Sequence, residues 1–434
     1  MTSTAIAVPT NRLQYAAAAV FMQILLGIIY AWSIFRAPLA QLHGWSNAQT
    51  IAPYRYSLLA FAAGMILAGF WQDRKGPRIV ASAGGFLLGT GCLLAAFFGD
   101  TVSGLVFAYG IVAGVGVGFA YVTPIAMCIK WFPDKRGMIV GLAVMGFGVG
   151  PLLFGPLLET LLGNDPSRLG ETIPRTFLIL AAIFYTGVIG AAQLYRVPPA
   201  GWKPAGWTPG AARFGAMEMP PGQMVRTWQF YALWIVYFLG TSVGLTAIGE
   251  ATPLLKEMAK TNTMMTAGAA LGIMSVFNGL GRLGWGSVSD RLGRKSAMLG
   301  MCAVSTLACV GFLRAPDSFL HLLTGLCMAA FAYGGYLALM PSLTADYFGP
   351  KNVGANYGLV FSAWGICGFL VPGYFARIMD QAKAAGSVAA GYQEVYLSLA
   401  VLALLCAGVG AMLRTPTALT LNPAVGATHN PVDR

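Results

Sequence analysis

The stretch Gly69-Phe-Trp-Gln-Asp73-Arg74-Lys75-Gly76 returns later in the chain as Gly286-Ser-Val-Ser-Asp290-Arg291-Leu292-Gly293-Arg294-Lys295. Gly69 and Gly286, Asp73 and Asp290, and Gly76 and Gly293 each stand 217 positions apart. A second echo keeps the same offset. Trp131-Phe132-Pro133-Asp134-Lys135-Arg136-Gly137 parallels Tyr347-Phe348-Gly349-Pro350-Lys351-Asn352-Val353-Gly354, with Gly137 and Gly354 again 217 apart. The chain reads as one unit written twice in the same order.

Both copies of each loop close a long apolar run. A membrane span needs about 20 mostly apolar residues. Twelve stretches qualify: 13–35, 54–72, 78–98, 102–128, 138–162, 174–195, 228–250, 265–288, 296–314, 318–341, 355–378 and 392–413. Hydrophobic residues make up 57% of the 434 and charged residues only 10%, against about 25% charged in soluble domains. A soluble protein of this size needs more polar surface, whereas lipid accepts apolar side chains facing outward. The 56 glycines suit close packing between membrane helices. The first run is too long for the apolar core of a cleaved signal and reads as a retained first helix. The expected architecture is an all-α membrane protein of twelve transmembrane helices in two pseudo-symmetric six-helix bundles. The polar segment 196–226, rich in Pro, Gly and Trp, separates an N-terminal bundle (1–195) from a C-terminal bundle with a short tail (227–434).

The net charge of +12 does not point to nucleic acid, because the basic residues sit singly in short loops rather than on one dense face. It sets topology instead. Of the 27 lysines and arginines, 17 lie in segments on the side of the termini, nine on the other side, and Arg282 lies inside a span. That bias places both termini in the cytoplasm, in a multi-pass protein expected in a bacterial inner membrane. The seven cysteines all fall in or at the ends of apolar runs, and His43, His321 and His429 are scattered, so no metal site is expected. Gly114-Val-Gly116-Val-Gly118 and Gly146-Phe-Gly148-Val-Gly150-Pro151 resemble nucleotide loops only superficially. They lie within apolar helices, follow no strand and lack a Lys-Ser/Thr ending, so they read as close packing. No cofactor and no catalytic cluster is expected, and the chain is not read as an enzyme.

Arg282 is the sharpest single signal. A charge at the bilayer centre costs about 2.5–3.5 kcal/mol on insertion scales. Counting eight residues back from Asp290 puts it about 12 Å deep. A guanidinium there should face a water-accessible cavity and grip a carboxylate with two parallel hydrogen bonds. The alternative is a structural arginine held by backbone carbonyls. Asn278, one turn away on the same face, orients the guanidinium, touches substrate or simply packs. Tyr121 and Tyr333 lie at comparable depth, roughly 14–17 Å from the inner face, each with a ring to wall a small cavity and a hydroxyl to donate. Tyr30 and Trp364 would complete an aromatic box, helix-lining contacts being the alternative for each. Glu250, near the outer end of span seven, either carries a proton or marks the interface, and the interface reading is the stronger.

With these residues in place, the chain resembles the major facilitator superfamily, whose signature is a G-x-x-x-D-R-x-G-R loop after span two, echoed after span eight. The resemblance implies gating roles for Asp73, Arg74, Asp290 and Arg291. Within that superfamily the chain is similar to the oxalate/formate antiporter family and the related monocarboxylate transporters. The residues carrying this are Gly27-Ile-Ile-Tyr30-Ala-Trp32-Ser, Trp131 to Gly137, Phe277-Asn278-Gly279-Leu-Gly-Arg282 through Asp290, Tyr333-Gly-Gly-Tyr336 and Asn356-Tyr357-Gly358. In the oxalate exchanger the family pattern implies a span-eight arginine and a span-eleven lysine holding a dicarboxylate. Arg282 matches the first, and Trp364 occupies the position of the second. Carriers of the eukaryotic monocarboxylate type pair the arginine with an aspartate four residues earlier, where this chain has Asn278.

The expected function is therefore secondary transport of small monocarboxylates of the lactate or pyruvate kind, by proton symport and alternating access. An organic-anion exchanger and a non-transporting membrane sensor are the alternatives. The expected partners are a small carboxylate anion, protons and the lipid bilayer, and the protein is expected to act as a monomer.

Overall fold

The protein is described from a computed structural model, which covers residues 12–163, 165–199, 201–204, 218–259 and 267–414. Among these residues there is no strand. In lipid no water is present to satisfy a backbone N–H or C=O, so an apolar run must bond to itself as a helix. The spans in chain order are Leu13–Ala31 (one), Gln49–Lys75 (two), Pro77–Phe98 (three), Val102–Trp131 (four), Arg136–Leu162 (five), Pro166–Ala192 (six), Trp228–Ile248 (seven), Arg294–Leu313 (nine), Phe319–Phe348 (ten), Val353–Met379 (eleven) and Val388–Met412 (twelve). Span eight is the helix Ala267–Leu292. Among the described residues eleven helices are long and apolar enough to cross a membrane, and span eight is the one that falls short. Its length, 26 residues or about 39 Å, suffices. Asn278 and Arg282 interrupt its apolar run, and they are also the chemically interesting residues.

The two glycines of the repeated loop have separate causes. Span two ends at Lys75 and span three starts at Pro77, so Gly76 alone makes the turn. Gly293 does the same between Leu292 and Arg294. Their φ values of 84° and 93° lie where a side chain is strained. Gly69 and Gly286 are small for a different reason. A Cβ on Gly69 would stand 2.1 Å from the Gly354 carbonyl oxygen, and one on Gly286 would stand 2.4 Å from that of Gly137. Each therefore marks a place where one half of the molecule touches the backbone of the other.

The packing repeats as the sequence does. Span one lies on four and five, two on four, three on four and six; span seven lies on ten and eleven, eight on ten, nine on ten and twelve. Between the halves, span two runs along span eleven and span five along span eight. The contact between spans two and eleven runs from Gly69 against Gly354 to Arg55 against Phe369, and that between five and eight from Gly137 against Gly286 to Leu152 against Gly272. The seam is thus closed along most of its length.

At the end of the bundle carrying the repeated loops, each half caps a helix of the other. The Asp290 carboxylate accepts hydrogen bonds from the backbone N–H of Gly137 (3.0 Å) and Met138 (2.7 Å), at the start of span five. Asp73 accepts from the N–H of Ala355 (2.9 Å), at the start of span eleven. A carboxylate at a helix N-terminus satisfies orphan donors and complements the dipole. Around Asp290 the charges chain together: Arg294 donates to Asp290 (2.7 Å) and to Asp346 (2.8 Å), and Arg136 donates to Asp346 (3.0 Å). On the Asp73 side, among the described residues, only Lys130 approaches, at 3.7 Å.

Arg74 and Arg291, expected in the gate, are exposed. The basic residues that reach the caps are Lys130 and Arg294. Arg74 and Arg291 are still helical, one residue past each aspartate, and that step of about 100° around the helix turns them away from the seam. Asp290→Asn keeps the shape of the cap and removes its charge. A hydrogen bond to a charged group contributes about 1.5–3 kcal/mol, so this change should slow transport roughly tenfold, while Asp73→Asn, with fewer partners, should slow it less. Initial rates of counterflow in proteoliposomes, normalised to inserted protein, check the order; equal effects would remove the assigned asymmetry.

Candidate substrate site

The site is built from Arg282 outward. Arg282 lies two helical turns from Asp290, and its side chain is 0% exposed. Its Nε donates to the Asn278 Oδ1 at 2.8 Å, and Nη1 donates to the carbonyl of Val144 in span five at 2.9 Å. The guanidinium carbon stands 5.5 Å from the ring centroid of Phe147. Span five can come this close because Gly148 faces the pair: a Cβ there would be 2.7 Å from the Asn278 Oδ1 and 3.1 Å from the Arg282 Nε. Asn278 thus orients the guanidinium, one of the roles its spacing allowed.

Nη2 of Arg282 is buried and makes no hydrogen bond of good geometry. Tyr30 and Tyr121 stand beside the guanidinium, within reach of its charge. The Tyr30 hydroxyl shares a 2.7 Å hydrogen bond with that of Tyr333, and Trp364 Nε1 donates to the Tyr333 oxygen at 2.8 Å. A continuous polar thread therefore runs from span eleven through span ten and span one to the edge of the guanidinium in span eight.

Aromatic rings wall this thread. Phe147 meets Tyr30 and Tyr121 edge-on, at 4.9 and 5.2 Å. Trp364 stacks on Phe361 at 4.8 Å and meets Phe61 at 5.3 Å. Tyr121, Tyr333 and Trp364 are each 1% exposed, whereas Tyr30 is only partly buried. Edge-on and offset ring pairs are the favourable arrangements for such a wall.

All six residues singled out from sequence as substrate-binding candidates, Arg282, Asn278, Tyr121, Tyr333, Tyr30 and Trp364, come together in this cluster. Sequence reasoning missed Phe147, Phe61, Phe361 and the Val144 carbonyl. Phe147 lies in the glycine-rich stretch Gly146-Phe-Gly148, where a lone aromatic between glycines was the available signal. Among the described residues Arg282 has no ion pair. The backbone of Glu250 belongs to the helix of span seven, while its side chain lies outside the described residues. No group of His, Cys, Asp or Glu able to hold a metal occurs among the described residues.

At the loop end, Arg12 forks onto Asp134 with bonds of 2.7 and 2.9 Å. Partial burial pushes the Asp134 carboxyl up, but the hydrogen bonds and charge of Arg12 outweigh it and leave the group below the usual carboxylate range. Trp202 of the connector packs on Trp131 of the same loop at 4.8 Å. The N–H of Met219, at the connector's other end, donates to the Phe348 carbonyl at 2.9 Å.

The Major Facilitator Superfamily profile matches residues 15–372. The chain is 30% identical over 365 residues to the oxalate:formate antiporter of Oxalobacter formigenes, covering 81% of each chain. It is 29% identical over 353 residues to apicoplast pyruvate carrier 1 of Toxoplasma gondii, covering 69% of this chain and 64% of that one. Among solved structures, the proton:xylose symporter XylE superposes with a TM-score of 0.67 at 17% identity, covering 95% of this chain and 98% of that one.

Proposed function

The chain belongs to the major facilitator superfamily, and from that premise we propose that it carries small monocarboxylates across a bacterial inner membrane by alternating access. The observation that carries this reading is Arg282: a buried guanidinium faced by tyrosine hydroxyls and by no described carboxylate. An anionic oxygen pair arriving there meets donors already held in place by Asn278 and Val144. At about 4 Å and an effective dielectric of about 20, the attraction is roughly 4 kcal/mol.

The wall opposite favours one carboxylate over two. A second carboxylate would lie against Trp364 and its ring partners, and an unpaired buried charge costs several kcal/mol. Lactate, pyruvate, acetate or formate fit this chemistry better than oxalate. In the proposed cycle, residues 1–195 and 227–434 rock about the site, joined by 196–226, with both termini on the cytoplasmic side. The Asp73 and Asp290 caps open and reform as access alternates.

Proton symport would take its proton through the substrate carboxyl itself or through Glu250. A second reading, anion exchange, is favoured by the lack of any described acid against Arg282. Returning without an anion would then require closing the site around an uncompensated charge. The similarity to an oxalate:formate antiporter supports the same reading.

Uptake of labelled mono- and dicarboxylates into proteoliposomes, with and without an imposed pH gradient, tests both. Net uptake driven by the gradient supports symport, and flux seen only against internal anion supports exchange. Absence of any carboxylate flux in either mode would sink the proposal. In the same assay Trp364→Lys should bring dicarboxylate counterflow up at least tenfold, with loss of monocarboxylate flux. An unchanged preference would remove Trp364 from selectivity.

A further inference from the structure

At the end of the bundle opposite the Asp73 and Asp290 caps, the surface of span eleven carries a groove that the transport reading leaves unused. Its floor and walls come from three spans: Arg55 of span two, residues 369–377 of span eleven, and Ser398 and Leu402 of span twelve. Two features define its chemistry. Along one side the face is apolar and outward, with Leu370 51% and Tyr374 62% exposed, and in a membrane protein such a face meets acyl chains. At its head stand two arginines and, among the lining residues, no carboxylate.

Arg55 is already engaged on one edge. Its Nη2 donates to the Phe369 carbonyl at 3.0 Å, and its guanidinium lies 4.8 Å from the Phe369 ring centroid. Its Nε is buried without a hydrogen-bond partner. A Cβ on Gly373 would stand 3.0 Å from Nη2, so the guanidinium rests on span eleven at the level of Gly373. Arg377 lies one turn further along, on the same face as Gly373, and lines the same groove as Arg55. Arg377 is exposed and has no carboxylate partner among the described residues.

We propose that this groove is a lateral site for an anionic phospholipid, with the phosphate between Arg55 and Arg377 and an acyl chain along Leu370, Tyr374 and Leu402. Two donors converging on one phosphate, above an apolar trough, match a lipid better than a free anion, which would leave the trough uncovered. The site spans both halves, Arg55 coming from the N-terminal bundle and the remainder from the C-terminal one. A lipid seated there holds the seam between spans two and eleven shut at this end. The inference does not depend on Arg282 or on what is carried.

Native mass spectrometry of the detergent-solubilised full chain, offered equal phosphatidylglycerol and phosphatidylcholine, tests it. Wild type should retain phosphatidylglycerol preferentially. Each basic residue near a charged lipid surface changes affinity by about fivefold, so Arg377→Gln should cut the preference by about that factor and the Arg55→Gln/Arg377→Gln pair should abolish it. Leu402→Trp leaves both charges and fills the trough, and it should lower retention as well. Unchanged retention in the double variant, in protein that stays monodisperse, overturns the assignment. Displacement of the lipid by excess inorganic phosphate as readily as by added phosphatidylglycerol would reduce the site to one for a simple anion and overturn the lipid claim.

Discussion

Arg282→Gln should abolish carboxylate transport while leaving a folded, membrane-inserted protein. Among the described residues the guanidinium is the one cation in the central cluster, and tyrosine hydroxyls stand beside it rather than a carboxylate. Each hydrogen bond to a charged group contributes about 1.5–3 kcal/mol. Losing such a bond together with the charge behind it should therefore weaken substrate binding by about 100-fold. Glutamine still offers an N–H to Asn278 or to the Val144 carbonyl, so those acceptors need not be orphaned. Removing an uncompensated buried charge should leave the thermal unfolding midpoint in detergent unchanged or raise it. Binding measured directly, by substrate protection against thermal unfolding, separates loss of the site from loss of movement. Wild-type affinity in the glutamine variant would take Arg282 out of the mechanism and leave the fold untouched.

Gly141→Leu should be equally severe for a different reason. A Cβ at Gly141 would stand 2.3 Å from the carbonyl oxygen of Arg282 and 3.1 Å from the Cα of Leu283. Those atoms are backbone of the opposite half and cannot swing aside as a side chain would. Overpacking costs about 1–3 kcal/mol even where neighbours shift. Spans five and eight should be unable to close, and turnover should fall by about 100-fold. Because the clash lies between the halves, each bundle should still fold. Gly141→Ala should give a milder version, and Gly408, where a Cβ would meet nothing within 4 Å, serves as the control for glycine replacement. Near-normal counterflow in Gly141→Leu would mean that the closed seam is not part of the cycle.

These two residues also mark the boundary of what could be read from the chain alone. Arg282 is legible because a charge inside a membrane span is costly enough to demand a purpose, and counting along one helix gives its depth. Asn278 is legible by the same count, four residues away on the same face. Gly141 is not: it is one of 56 glycines, and its importance lies in which backbone it touches. Arg74 and Arg291 show the same limit from the other side. A motif names the basic residue beside the aspartate, but one step of helix rotation carries that residue away, and packing between elements decides which basic residue reaches the carboxylate, here Arg294 and Lys130. Phe147 carries only its place between two glycines as a mark, and that reads as helix packing until a guanidinium is found above it.

Sequence by itself settled the membrane environment, the doubled unit and the approximate limits of the helices, because hydropathy, spacing and turn glycines act locally along the chain. It also nominated the buried cation. Tertiary structure alone decided which side chains surround that cation, how Tyr30, Tyr333 and Trp364 bond in series, and which aspartate caps which helix. Those pairings join residues 31 to 303 positions apart. They depend on the tilt and rotation of whole helices against one another, and a periodicity within one helix carries no information about either.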